Sequence, residues 1–376
     1  MFSHISDTHL GLMQYGLEER ENDIYSAFNE SIDTSIKDHV DFVIFAGDIF
    51  HVPNPSGTAI MQMANALKRL KQSNVESFFV LGEHDISRVR STPIPYVYHN
   101  LEFSRYIGQG KPLVYKNVLI VGFDKIRKSE MSQYYPRFEQ VDKAAREHPG
   151  HKILVMHQGL AEINKFAGEL SSTDLPKNFT YYAMGHLHDQ FLKQFPHLSG
   201  PVAYPGSIET TTSEGIKESQ KGFYEVDISG EEAVPRWIKL DTRPQMSQKT
   251  EFGTLEKTVS GVLEKISKLA KKPIVEIKIS GDIESDIVQA QMARLIPYTL
   301  HCVWRLAQNG ESNSSVLSGR PASIDDELIR LATNCLGRED LATFAIKDLL
   351  PLLSSNKTEE AEHLVAERFE QYRRSK

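Results

Sequence analysis

The stretch Asp41-Phe-Val-Ile-Phe-Ala46-Gly47-Asp48-Ile-Phe-His51 sets an unbroken apolar run directly against a turn that carries a carboxylate and an imidazole. A short apolar run without polar alternation reads as a strand buried on both faces. The Gly-Asp pair then ends the strand and leaves the polar groups on the rim of a sheet. The arrangement recurs. Ser77 to Leu81 precedes Gly82-Glu83-His84-Asp85, Ile153 to Met156 precedes His157-Gln, and Tyr181 to Met184 precedes Gly185-His186-Leu-His188. Asp7-Thr-His9 opens the series almost at once, after Phe2 and Ile5. Side chains just past strand ends converge on one rim, where open α/β sheets build their sites. Carboxylates and imidazoles gathered there make a divalent-metal centre.

Outward from these runs, Ile24, Phe28, Ile32 and Ile36 recur every four residues, one face of an amphipathic helix. Ser56 to Lys71 repeats the pattern, with Ser56 as N-cap. Asn117 to Phe123, Gly222 to Ile228 and Arg236 to Leu240 read as further strands. The fold class is therefore α/β, with a mixed sheet or sheets. Residues 1–244 form this body. Residues 245–309 follow as a small α+β unit: helix Leu255 to Leu269, strand Ile274 to Ile279, helix Ile283 to Leu295 and strand Thr299 to Leu306. Residues 310–323, rich in Ser, Gly and Asn, read as a linker. Residues 324–376 are helical, in segments Ile324 to Leu336, Asp340 to Leu353 and Thr358 to Arg374.

The bulk numbers set bounds on function. At 376 residues the chain exceeds the size at which one core stops growing. Two cysteines, Cys302 and Cys335, exclude a disulfide framework and point to a reducing, cytoplasmic compartment. A strand and a metal motif at the N-terminus leave no room for a signal peptide, and no apolar run approaches the ~20 residues of a membrane span. The formal net charge of −7 argues against a chain bathed in positive potential. Two bound divalent ions would cancel four negatives where a polyanionic substrate would sit.

The donors suggest the chemistry. Phosphodiester cleavage needs an activated water and charge neutralisation on the phosphate, which two divalent ions ~3.5–4 Å apart supply. Asp48, on its Gly-Asp turn, is placed to bridge them. Mixed oxygen and imidazole donors suit manganese, iron or zinc better than magnesium or calcium.

Asp-x-His, Gly-Asp-x-x-His, a Gly-x-His-Asp, a lone His and Gly-His-x-His, in this order, resemble the signature of the calcineurin-like metallophosphoesterases, a β-sandwich flanked by helices. Within that superfamily the chain is similar to the Mre-eleven / SbcD branch of double-strand-break repair nucleases. The likeness rests on Phe2-Ser-His-Ile-Ser-Asp-Thr-His-Leu-Gly11, Gly47-Asp48-Ile-Phe-His51, Val155-Met-His157-Gln-Gly159 and Tyr204-Pro-Gly-Ser207. It extends to the layout of body, small capping and DNA-binding domain, and helical tail. The resemblance implies that Asp7, His9, Asp48 and His188 hold one ion, and that Asp48, Glu83, His157 and His186 hold the other. It implies His84 as the proton donor to the leaving sugar oxygen, and His51 as a positioning residue at the scissile phosphate. It further implies two manganese ions, 3′-to-5′ exonuclease action on duplex ends, endonuclease action on single strands, and a homodimer. The C-terminal helices would clamp an SMC-like Rad-fifty ATPase.

Two positions depart from that pattern. The family places Asn where this chain has Glu83, a longer and charged ligand that raises the set from two negatives to three. Asn54, after His51, stands where the family often has a basic residue. The other eight histidines read as surface or satisfied core residues. Asp85 reads as a turn-fixing residue, Tyr204 to Ser207 as a turn, which the resemblance implies closes the site, and Arg88 and Arg90 as phosphate contacts or a solvated loop. Two other functions use the same residues: a phosphatase or cyclic-nucleotide phosphodiesterase, and a degenerate phosphoesterase-fold scaffold with Glu83 as the first sign of decay. Residues 250–376, superfluous for a small substrate, favour the nuclease.

Overall fold

The apolar runs lie side by side in two six-stranded sheets. The structure, a computed structural model, describes residues 1–87, 92–165, 168–281, 283–307, 315–318, 328–329, 332–333, 338–354, 361–366 and 368–369. It divides into two compact units, Met1–Arg243 and Pro244–Lys376.

In the first unit the strands are β1 (Phe2–Ile5), β2 (Phe42–Ala46), β3 (Glu76–Val80), β4 (Arg105–Tyr106), β5 (Leu113–Tyr115), β6 (Val118–Phe123), β7 (Lys152–His157), β8 (Tyr181–Gly185), β9 (Phe191–Lys193), β10 (Val202–Tyr204), β11 (Gly222–Asp227) and β12 (Val234–Lys239). One sheet runs β12-β11-β1-β2-β3-β4 and the other β5-β6-β7-β8-β10-β9. The motif-bearing strands β1, β2 and β3 are mutually parallel, as are β7 and β8. Parallel strands present their C-terminal ends together, so the polar turns after them share a rim.

The sheets stack face to face. Phe2, Phe42, Ile44, Phe78 and Val80 from one meet Ile120, Ile153, Val155, Tyr181 and Ala183 from the other in a dry central layer. Helices α1 (Glu18–Lys37) and α2 (Gly57–Gln72) cover the outer face of the first sheet, with Phe28, Ile32, Met63 and Leu67 against Val43, Phe45 and Phe79. Each such side chain contributes roughly 1.5–3 kcal/mol by leaving water. Ser56 caps α2 as expected, its side chain accepting from the Ala59 N–H at 3.2 Å. A further helix, α3 (Tyr96–Asn100), precedes β4. Helix α4 (Tyr135–Glu147) covers the outer face of the second sheet with Phe138, Val141 and Ala145. The result is a helix-flanked β-sandwich.

The second unit has its own core. Strands β13 (Gln245–Glu251), β14 (Ile274–Ser280), β15 (His301–Ala307) and β16 (Ser315–Ser318) form one sheet in that order. Helices α5 (Leu255–Ile266) and α6 (Ser285–Leu295) pack on it through Val259, Val262, Val288 and Met292 against Val275, Ile277 and Trp304. Two elements differ from the sequence reading. Strand β13 carries mostly polar side chains and gave no apolar signal. The stretch read as a linker contains β16, which pairs antiparallel with β15; its flanking serines hid a short Ser-Val-Leu-Ser strand. Most of Ile324 to Leu336 and the end of the last helix lie outside the described residues. Among those described, Glu339–Thr343 and Leu350–Ser354 are α-helical, and Phe344–Leu349 between them is π-helical.

Candidate metal centre

The left-handed backbone of the polar turns brings the motifs together. Asp7, His9, Asp48 and His186 all have positive φ, at 52°, 43°, 49° and 95°. Such conformations cost a non-glycine residue about 1–3 kcal/mol each and persist where the surroundings over-determine them. Here the Asp7 N–H donates to the Gly47 carbonyl at 3.1 Å, and the His9 N–H to the Asp48 carbonyl at 3.0 Å. The glycines allow close approach: a Cβ on Gly47 would strike the His157 ring, and one on Gly82 the Asp48 carboxylate.

All seven proposed ligands face one pocket. His157 Nε2 lies 2.9 Å from Glu83 Oε2, 3.3 Å from Asp48 Oδ2 and 4.0 Å from Asp7 Oδ1. His186 Nδ1 lies 2.9 Å from Glu83 Oε1. On the other side, His188 Nε2 is 3.8 Å from Asp7 Oδ1 and His9 Nε2 is 3.9 Å from Asp48 Oδ2. The two imidazoles meet nitrogen to nitrogen at 3.1 Å. Asp7, His9 and His188 thus form one cluster; Glu83, His157 and His186 form another, and Asp7, Asp48 and His157 link them.

Outer partners fix the rings. His157 Nδ1–H donates to the Ala46 carbonyl at 2.7 Å, leaving Nε2 as the inward lone pair. His188 Nδ1 hydrogen-bonds with Thr211 Oγ1 at 2.9 Å and lies 3.6 Å from Glu214. The backbone N–H of His186 donates to both Asp7 oxygens at 3.1 Å. Asp85 accepts from the backbone N–H groups of Ile49, Phe50 and Gly82, so it locks the second and third motif turns together, the structural role read from sequence.

His84 and His51 flank the ligands. The His84 backbone N–H donates to Asp48 Oδ1 at 2.9 Å, and its Nδ1–H to the His51 carbonyl at 2.7 Å. Its Nε2 is thereby left for other work. The His51 ring stacks on His84 with centroids 5.3 Å apart. Arg88 and Arg90 lie outside the described residues. Tyr204 to Ser207 packs behind His188: the Tyr204 hydroxyl donates to the Gln158 carbonyl, and the Ser207 N–H to the His188 carbonyl.

The electrostatics ask for a cation. Burial opposes the charge of Asp48, yet the His157 ring holds its carboxyl well below the usual range. The same tension lowers Glu83, where His157 and His186 overcome burial. Asp7 has its pKa raised, chiefly by burial. His157, although fully buried, is driven well above its ordinary value by Asp48, Glu83 and Asp7. A buried imidazole pulled toward protonation by three carboxylates marks a place where a positive charge belongs.

Several residues of this site had no motif to betray them. Lys125 and Glu169 stand beside Glu83 and His186, with Lys125 Nζ 2.7 Å from Glu169 Oε1. Lys221 sits behind His188, buried against Glu214 and Ser207. Only Thr211-x-x-Glu214 had a readable signal, the spacing of a capping box. That box forms, with the Thr211 N–H donating to Glu214 at 2.9 Å.

Comparison with known proteins places this geometry in a family. A family model described as calcineurin-like phosphoesterase matches residues 2–190. Three archaeal proteins called "DNA double-strand break repair protein Mre11" align along most of the chain. That of Thermoplasma acidophilum is 33% identical over 77% of this chain and 80% of its own length. That of Saccharolobus solfataricus is 30% identical over 79% and 80%, and that of Sulfolobus acidocaldarius 29% over 95% and 96%.

Proposed function

Because the chain belongs to the calcineurin-like phosphoesterase family and, within it, to the Mre11 group of DNA double-strand-break repair proteins, we propose that it is a two-metal nuclease acting on broken DNA. The observation that carries this reading is the buried His157 Nε2. The Nδ1–H of that ring is committed to the Ala46 carbonyl, and Nε2 faces the carboxylates of Glu83, Asp48 and Asp7 at 2.9, 3.3 and 4.0 Å.

The donor set fits two divalent ions. Asp7, His9, Asp48 and His188 would hold one; Asp48, Glu83, His157 and His186 the other. Mixed carboxylate and imidazole donors favour manganese over magnesium. Bound there, the ions would neutralise the phosphate and make a water acidic enough to attack it. The chain's own residues do the rest. The Ala46 carbonyl and Thr211 fix which ring nitrogens of His157 and His188 face inward. With Nδ1–H committed to the His51 carbonyl, protonated His84 has its Nε2–H free to give to a leaving 3′ or 5′ oxygen. His51, stacked on that ring, would steady it and touch the phosphate.

Partners follow from the same reading. DNA is the substrate, and an SMC-like Rad-fifty ATPase is the partner, docked on the C-terminal helices where Val365 and Phe369 are exposed. Dimerisation belongs to the same proposal. Among the described residues no helix is long and apolar enough to cross a membrane.

The test compares hydrolysis of duplex DNA ends and single strands with that of a small phosphate ester, with manganese and with chelator. Manganese-dependent degradation of DNA, lost in Asp48→Ala, is the expected result. Efficient ester hydrolysis with intact DNA would instead favour a phosphatase.

A further inference from the structure

Glu83 carries a negative charge in a ligand position, and the structure supplies a cation beside it. Lys125 Nζ lies 3.7 Å from Glu83 Oε2, with its side chain only 12% exposed. A lysine that deep is kept there by its partners. Its ammonium is 2.7 Å from Glu169 Oε1, while Glu169 Oε2 accepts the Gly159 N–H at 2.9 Å, two residues past His157. The Lys125 backbone N–H donates to the Leu81 carbonyl at 2.9 Å, two residues before Glu83. Both ends of this clamp are therefore tied to segments that carry ligands. Glu169 Oε1 also lies 3.7 Å from His186 Nε2, the ring nitrogen that Glu83 does not meet.

A carboxylate at position 83 brings the proposed ligand set to three negative groups with Asp7 and Asp48. A fixed ammonium within 4 Å of Glu83 screens that third charge in part, its shorter contact being to Glu169. We infer that Lys125, anchored by Glu169, is a positioning residue that compensates the charge of Glu83, so that the pair does together what a neutral ligand would do alone. The inference rests on the ligand set proposed above and goes beyond it.

The experiment measures manganese binding to the full chain by calorimetry and by the paramagnetic resonance signal of free Mn2+. The proteins are the native chain, Lys125→Met, Lys125→Arg, Glu83→Asn and the Glu83→Asn/Lys125→Met double variant. With Glu83 present, Lys125→Met should tighten the weaker of two sites by about tenfold, because an unscreened carboxylate attracts the ion more strongly. Lys125→Arg, which keeps the charge, should return the Kd to within about twofold of native. In the Glu83→Asn background Lys125→Met should shift the Kd by less than about twofold. Unfolding in chelator reports any packing loss separately. An equal shift in both backgrounds, or no shift in either, would overturn the inference while leaving two bound ions intact. Absence of stoichiometric manganese from the native protein would remove the ligand assignment and the inference with it.

Discussion

Lys221 shows how much of this site is held by residues that touch no substrate. Its ammonium lies buried against Glu214, Ser207 and the His188 carbonyl, and Glu214 in turn supports His188 and the Thr211 turn. Removing one partner of a buried pair strands the other charge, so Lys221→Met should cost about 3–5 kcal/mol in urea denaturation. Burial alone would raise Glu214, but His188 and Lys221 bring it down to about 2. The sign follows from linkage. A carboxyl whose folded value lies below its unfolded 4.5 lends stability above about pH 4.5, and that contribution drains away as pH falls toward 2. In chelator, native protein should show this slope, and Lys221→Met should show a shallower one, since His188 still lowers Glu214. Asp85 makes a second case. Burial and the nearby Asp48 charge push it up to about 7, although it accepts three backbone N–H groups. Asp85→Ala leaves those donors buried without an acceptor, a loss of about 3 kcal/mol or more. An unfolding midpoint equal to native would show the turns do not need it.

Single elements explain which parts of the fold were legible. Phe42–Ala46, Phe78–Val80 and Tyr181–Met184 were readable because parallel strands buried on both faces are apolar at every position. Helix α2 was readable from period and cap together; Ser56→Ala should destabilise by about 1 kcal/mol by thermal unfolding, and no change would mean that its 3.2 Å bond to Ala59 is idle. Strand β13 was not legible, since Ser247, Gln248, Lys249 and Glu251 hide its register, and β16 was lost among serines. The motif residues were visible because glycine, carboxylate and imidazole recur after each strand. Lys125, Glu169 and Lys221 were not, because their partners lie far away along the chain: Glu169 is 44 residues from Lys125, and the His188 carbonyl 33 from Lys221. No local spacing records contacts of that kind.

At the scale of the molecule, the three buried clusters of Met1–Arg243 and the separate cluster of Pro244–Lys376 make two bodies with independent reasons to stay folded. Among the described residues, the carboxylates and histidines that call for cations all belong to the first. Metal that binds the folded first unit and not its unfolded chain stabilises it by about 2.7 kcal/mol at a hundredfold excess over Kd. For a unit of this size that corresponds to a rise of roughly 5–10 °C. Calorimetry with manganese should therefore shift one transition upward, and chelator should return it, while the transition of the second unit stays fixed. Truncation after Ser318 adds an independent check on where roles reside. It removes the helical tail and leaves every proposed ligand, so manganese-dependent nuclease activity should persist while binding to the ATPase is lost. Nuclease activity that disappears with the tail, although manganese still raises the first transition, would mean that cleavage needs the C-terminal residues as well as the metal pocket.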